Sequence, residues 1–218
     1  QITLPASLLK SMIRQTLFAV AESDAKPIHQ GSLFNLEQEM LDVVSVDGYR
    51  LAVRSEPVDY PDELSFVVPG KTLGEILKLL KDTDDPVELA AGRRHILFTI
   101  DNYTVISSLL EGEFLNYKAA IPPESQTEVI LKTREAIDSV ERVSLLITDR
   151  LKSPVRCLFA DNEVKLNCTT SMGRASDQID VEMTGQSVEI GFNNRYLLEA
   201  LRNTECDEVK VQLGGPLS

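Results

Sequence analysis

Apolar and polar positions along the chain repeat one arrangement four times. A short β-rich run leads, through a proline or polar residue, into about three turns of helix with a leucine- or isoleucine-rich face. The first copy runs from Ile2-Thr3-Leu4-Pro5 into a helix over 8–20, and the second from Phe66-Val67-Val68-Pro69-Gly70 into one over 73–80. The third runs from Val129-Ile130-Leu131-Lys132 into 136–146, and the fourth from Val188-Glu189-Ile190-Gly191-Phe192-Asn193 into 196–201. Successive copies begin about 60 to 64 residues apart, too far for a solenoid and suited to a half-domain of one helix and several strands.

Between the helices the chain reads as antiparallel hairpins. Ser32 to Leu36 and Leu41 to Val46 flank Glu37-Gln38-Glu39, while His95 to Ile100 and Thr104 to Leu109 flank Asp101-Asn102. Arg156 to Phe159 and Val164 to Cys168 flank Asp161-Asn162, a pair tolerant of positive φ. Each repeat is therefore strand, helix and meander, and two repeats make a domain. The predicted fold class is α+β, with paired helices packed on antiparallel sheets. Ile121-Pro122-Pro123-Glu124-Ser125 interrupts the pattern and places one domain at 1–122 and a second at 126–218. A length of 218 residues suits two domains, each able to bury a core.

Charge complicates this picture, because 34 acidic residues against 22 Lys and Arg leave a net charge of -12. Binding to phosphate rests on cations, so such a balance argues against nucleic acid unless the cations are gathered locally. They are arranged on helices. Lys10 and Arg14 lie four apart, opposite Leu8, Leu9, Met12, Ile13 and Leu17. Lys71 and Lys78 point away from Leu73, Ile76, Leu77 and Leu80, and Arg195 and Arg202 away from Leu197, Leu198 and Leu201. The third helix is mixed, with Arg134 and Arg142 beside Asp138 and Glu141. Acids concentrate in turns and linkers: Glu22, Asp24, Glu37, Glu39, Asp59, Asp62, Glu63, Asp82, Asp84, Asp85 and Glu88. A locally positive helix surface is the sharper expectation, and helices carrying cations for solubility alone is the plainer one.

Candidate chemistry is sparse. The chain has no Gly-rich phosphate loop, GxSxG, HExxH or clustered Cys/His set. His29 and His95 are isolated, and Asp84 and Asp85 fall in a turn after a helix, suited to a solvated or helix-adjacent role. Cys157, Cys168 and Cys206 match neither a zinc site nor a CxxC pair and read as reduced packing residues, although the first two could approach across a hairpin. No apolar run nears the roughly 20 residues of a membrane helix, and no basic, apolar leader precedes Gln1, so the expected location is the cytoplasm.

Three stretches carry a family resemblance. Val44-Ser45-Val46-Asp47-Gly48-Tyr49-Arg50-Leu51-Ala52 resembles the T-D-G-H/Y-R-L-A segment of bacterial DNA sliding clamps, the beta subunit of DNA polymerase III. Leu109-Leu110-Glu111-Gly112-Glu113-Phe114-Leu115-Asn116-Tyr117-Lys118, ending in Ile121-Pro122, is similar to the segment that closes their middle domain. Glu189-Ile190-Gly191-Phe192-Asn193 with Tyr196-Leu197-Leu198 resembles the start of the last helix of their third domain.

The resemblance implies a DNA-clamp fold and a non-catalytic processivity factor of replication, without metal or cofactor. In the family three similar domains per subunit form a head-to-tail homodimeric ring, with helices lining the hole and sheets outside. It encircles duplex DNA without sequence preference. Polymerase, clamp-loader subunits and repair proteins are tethered through short motifs in a peptide groove, and no membrane is involved. On this reading residues 1–122 are the middle domain and 126–218 most of the third, with the first domain, the last strands and the tail lying outside the sequence. The implied peptide site, at the domain junction, comprises Val46, Gly48, Tyr49, Arg50, Leu51, Phe114, Leu115, Ala119 and Ala120. The implied DNA-facing cations are Lys10, Arg14, Lys26, Lys71, Lys78, Arg195 and Arg202, and the implied dimer contact is Leu145 and Leu146. Val46, Leu115 and Ala119 depart from the family's usual threonine, proline and basic residue. A DNA-independent peptide-binding scaffold of the same fold is the alternative, and an enzyme a distant third.

Overall fold

The structure, a computed structural model, describes residues 1–23 and 25–218; Asp24, one of the acids assigned to turns, lies outside the described residues. The chain divides into two compact units, Gln1–Lys118 and Ala119–Ser218. The proline-containing stretch 121–126 lies just past that division and is neither helix nor strand.

In the first unit the two repeats exchange their leading strands. The first repeat contributes β1 (Ile2–Pro5), α1 (Ala6–Leu17), β2 (Gly31–Glu37), β3 (Met40–Val46) and β4 (Leu51–Pro57). The second contributes β5 (Leu64–Pro69), α2 (Gly70–Leu79), β6 (Pro86–Ala91), β7 (His95–Ile100) and β8 (Tyr103–Ser108). Strand order is β1-β6-β7-β8 in one sheet and β4-β3-β2-β5 in the other, all antiparallel, so each meander is completed by the other repeat's leading strand. Neither repeat completes its own sheet, so the unit is built from two. A short helix, α3 (Tyr117–Ala120), follows.

The second unit repeats the exchange with β9 (Thr127–Lys132), α4 (Thr133–Val143), β10 (Val155–Ala160), β11 (Glu163–Thr170), β12 (Gly173–Asp180), β13 (Glu182–Gly185), β14 (Val188–Phe192), α5 (Asn194–Arg202) and β15 (Glu208–Leu213). Here β14 completes β12-β11-β10, and β9 lies between β13 and β15.

The helices begin earlier than their apolar faces suggest, because the preceding strand supplies a structured start. In α1 the first amide hydrogens go to carbonyl oxygens of the turn after α2: Ala6 N donates to Asp85 O at 2.9 Å and Ser7 N to Thr83 O at 2.8 Å. Asp84 and Asp85 thus sit beside a helix N-terminus, where negative charge is favoured. The α4 start is held equivalently, Thr133 N donating to Asp207 O at 2.9 Å. In α5 the Asn193 side chain caps Tyr196 N at 3.2 Å. Two helices end about a turn sooner than expected: α1 stops at Leu17, and the run to Leu146 becomes α-helix to Val143 followed by a 3-10 turn over Ser144–Leu146.

Within the first unit α1 packs beside α2, and in the second α4 beside α5, against a core in each. The first core centres on Leu9, Met12, Ile13, Leu73 and Ile76 from the helices and Phe34, Val43, Val68, Leu89 and Phe98 from the sheets. Phe34 stacks on Phe66, its partner in register, with centroids 5.4 Å apart. The second core includes Cys157 and Cys168, both free. Both face the same core without being directly opposed across the hairpin: Cys157 lies opposite Leu166, and Cys168 stands two residues further along β11. Burial pushes the Cys157 thiol up to about 12, as expected of an inert packing cysteine.

Candidate functional site

The outer face of the sheet β4-β3-β2-β5 carries a second, smaller apolar cluster. Leu33, Val44 and Val67 are buried there, with Leu51 packed beside them, although the main core takes the opposite face of the same strands. Register aligns the cluster, since Val67 pairs with Leu33, Leu33 with Val44, Val44 with Val53, and Val46 with Leu51. The segment 109–117 and the 3-10 turn Pro27–Gln30 cover it with Ile28, Leu110, Phe114 and Tyr117.

A polar network ties this cover down. The Tyr117 hydroxyl donates to Asp42 Oδ2 at 2.5 Å and accepts from Asn35 Nδ2 at 3.2 Å. Burial and the adjacent Asp42 carboxylate push its ionisation well above the ordinary tyrosine range. Next to it, Lys118 Nζ donates to Glu37 Oε2 at 2.6 Å, which lowers the carboxyl and raises the ammonium. Upstream, Leu110 N donates to Val67 O at 3.0 Å. Gly31 makes room at the same end of the sheet: a Cβ there would lie 2.3 Å from Val68 O and 2.9 Å from Leu110 Cδ1.

The turn joining β3 to β4 stands at the edge of this face. Asp47 Oδ1 accepts from Tyr49 N at 3.0 Å and Arg50 N at 3.1 Å, an Asx turn that uses the positive φ of Gly48, +87°. Arg50 is bound into the scaffold: Nε donates to Asp47 Oδ2 at 3.0 Å and Nη2 to Phe18 O at 2.9 Å, with the guanidinium over the Phe18 ring. Tyr49 points outward, 82% exposed.

The residues expected to bind a peptide therefore separate into distinct places. Val46, Leu51 and Phe114 belong to the apolar face or its cover, Leu51 and Phe114 being partly buried. Leu115 is exposed at its edge, Gly48, Tyr49 and Arg50 form the neighbouring turn, and Ala119 and Ala120 are exposed on α3. Sequence reading missed Ile28, His29, Leu33, Val44, Val67, Leu110 and Asp42. In the second unit, Asn193 and Tyr196 line a cleft of about 600 Å³ with Ile147, Lys152, Pro154 and Arg195. Leu145 is 80% exposed and Leu146 partly so.

The helix cations are exposed or partly exposed, and several are ion-paired. Lys10 meets Asp82 at 3.0 Å, Lys78 meets Glu75 at 2.7 Å, Arg195 meets Glu199 at 3.1 Å and Arg202 meets Glu141 at 2.7 Å. Arg14, Lys26 and Lys71 are exposed. No group of three or more His, Cys, Asp or Glu able to hold a metal occurs among the described residues. Among them, too, no helix is long and apolar enough to cross a membrane.

Paired strand-exchanged repeats of this form, superimposable on solved DNA sliding clamps, define an α+β protein of the DNA-clamp fold. The chain belongs to the DNA polymerase III beta subunit family: residues 3–116 match the model of its central domain and residues 118–218 that of its C-terminal domain. Over 99% of its length it is 32% identical to the beta sliding clamp of Bacillus subtilis and 28% identical to that of Staphylococcus aureus. It spans 58% of each of those relatives. Among solved structures, a putative DNA polymerase III beta subunit from Eubacterium rectale matches with a TM-score of 0.95 at 34% identity, covering 99% of this chain and 59% of that one. The Pseudomonas aeruginosa clamp bound to griselimycin matches at 0.92 and 27%, covering 98% and 58%.

Proposed function

We propose that the protein acts as a processivity clamp of DNA replication, a non-catalytic ring subunit that encircles duplex DNA and tethers its partners by short peptide motifs. The observation that carries this reading is the match of both units, almost end to end, to the central and C-terminal domains of one family. In this reading the helix cations face the duplex, Leu145 and Leu146 lie at the contact with a second subunit, and the complex works in the cytoplasm. Polymerase, clamp-loader and repair proteins would dock on the apolar face around Val46, Leu51, Phe114 and Leu115. That face suits apolar anchors, with Leu51 and Phe114 half-covered beside a polar rim. The Asp47-Gly48-Tyr49-Arg50 turn would serve as that rim, with Arg50 shaping it rather than reaching for the peptide.

The test is titration with griselimycin, the compound carried by the Pseudomonas aeruginosa clamp, and with a peptide bearing a clamp-binding motif. Leu51→Asp should weaken both by at least about 1 kcal/mol, since it places a charge in an apolar anchor site. Undiminished binding by the folded variant removes the groove from this face.

A further inference from the structure

We infer that His29 is a positioning residue for the groove: its imidazole accepts the Leu115 amide hydrogen, packs edge-on against Phe114, and so fixes the wall that those two residues form. The inference rests on the groove reading above. Leu115 N lies 3.3 Å from His29 Nε2. The Phe114 ring stands at 85° to the imidazole with centroids 5.0 Å apart. His29 is only 8% exposed, and its own backbone is anchored, with His29 N donating to Lys26 O at 2.9 Å and Ala21 N donating to His29 O at 2.8 Å. The acceptor is thus held by a turn whose entry Pro27 restricts.

The geometry explains a departure noted in the sequence. A proline at 115 carries no amide hydrogen, whereas leucine brings a donor that needs a partner. His29 supplies it. Between Leu110, bound to Val67 O, and Tyr117, bound to Asp42, it gives the cover a further attachment just where its apolar side chains reach the groove edge. The cover passes close to the same turn at Gly112, where a Cβ would lie 3.5 Å from Ile28 Cβ.

Accepting the hydrogen requires an unprotonated Nε2, hence the neutral tautomer with hydrogen on Nδ1. Burial, and secondarily Lys26 on the same turn, hold the imidazole below its ordinary range and favour that neutral form.

Three measurements decide the inference. Nitrogen NMR of the unaltered protein should find Nε2 unprotonated at neutral pH. His29→Phe keeps an edge-on ring but removes the acceptor, and should speed Leu115 amide exchange and weaken griselimycin binding by about tenfold each, the loss expected for one hydrogen bond. His29→Gln, whose side-chain oxygen can accept, should recover most of both. Once Leu115→Pro has removed the donor, adding His29→Phe should change griselimycin affinity by less than about threefold. An Nε2–H tautomer, unchanged Leu115 exchange in His29→Phe, or an equal affinity loss with and without Leu115→Pro overturns the role. If griselimycin fails to bind the unaltered protein, the groove reading fails, while tautomer and exchange still judge the His29–Leu115 bond.

Discussion

Replacing Tyr117 by phenylalanine isolates the bond that holds the cover onto the sheet. The ring is 6% exposed and would keep its packing against Leu33, Val44 and Val67, so almost no cavity opens. What disappears is the hydroxyl between Asp42 and Asn35. A hydrogen bond to a carboxylate is worth about 1.5–3 kcal/mol. Asp42 retains the Ser55 hydroxyl, which donates to Oδ1 at 2.5 Å, so the carboxylate is not orphaned and the lower half of that range applies, about 1.5–2 kcal/mol. With a urea slope of about 2 kcal/mol/M, the midpoint for the first unit should fall by about 0.8–1 M at neutral pH without a change in slope. The pH dependence has a definite sign. The folded-state ionisation of Tyr117 lies above that of an unfolded tyrosine, so its contribution is fully present below about pH 10, the unfolded value, and is lost as pH rises beyond it. The gap between the two proteins should therefore narrow in strong alkali. An unchanged midpoint at neutral pH, or a gap that widens there, refutes the assigned bond.

Other perturbations probe the same framework. Gly31→Ala should cost at least about 1–3 kcal/mol, because its Cβ would press on Val68 O, a backbone atom that cannot move aside; a calorimetric melt that matches the parent removes the close approach. For duplex DNA, the charge balance and paired helix cations predict dissociation constants no tighter than about micromolar, lost as salt rises. Neutralising Asp82, Glu75, Glu199 and Glu141 together, to Asn and Gln, should tighten that binding and steepen its salt dependence, since each frees a partnered cation; no change would place those cations away from phosphate.

The repeat was legible because each copy carries two periodicities in fixed order, a strand and then a helix face. What it does not encode is partner choice among strands. β1 could pair with its own meander or with that of the next repeat, and Ile2, Thr3 and Leu4 suit either. The exchange is settled by the helix between β1 and β2, which carries the chain away from β1 before the meander begins, while the turn after α2 returns beside the α1 start. Helix ends were misjudged for a related reason. Apolar faces mark where a helix touches the core, whereas the first turn of α1 is fixed by carbonyl groups about eighty residues distant in sequence.

The covered face of the sheet left a trace that alternation arguments pass over. Leu33-Phe34, Val43-Val44 and Phe66-Val67-Val68 are apolar on successive residues, and a strand with one wet face should alternate. Unbroken runs in three adjacent antiparallel strands imply that both sides of that sheet are covered, one by α1 and α2 and the other by something else. The glycine and aromatic residues of 112–117 were noticed by resemblance, yet the runs already required such a cover and located it opposite the helices. His29 left no comparable trace. Its role depends on the amide of a residue 86 positions away, and a lone histidine reads the same in sequence whether it packs, titrates or accepts one hydrogen bond.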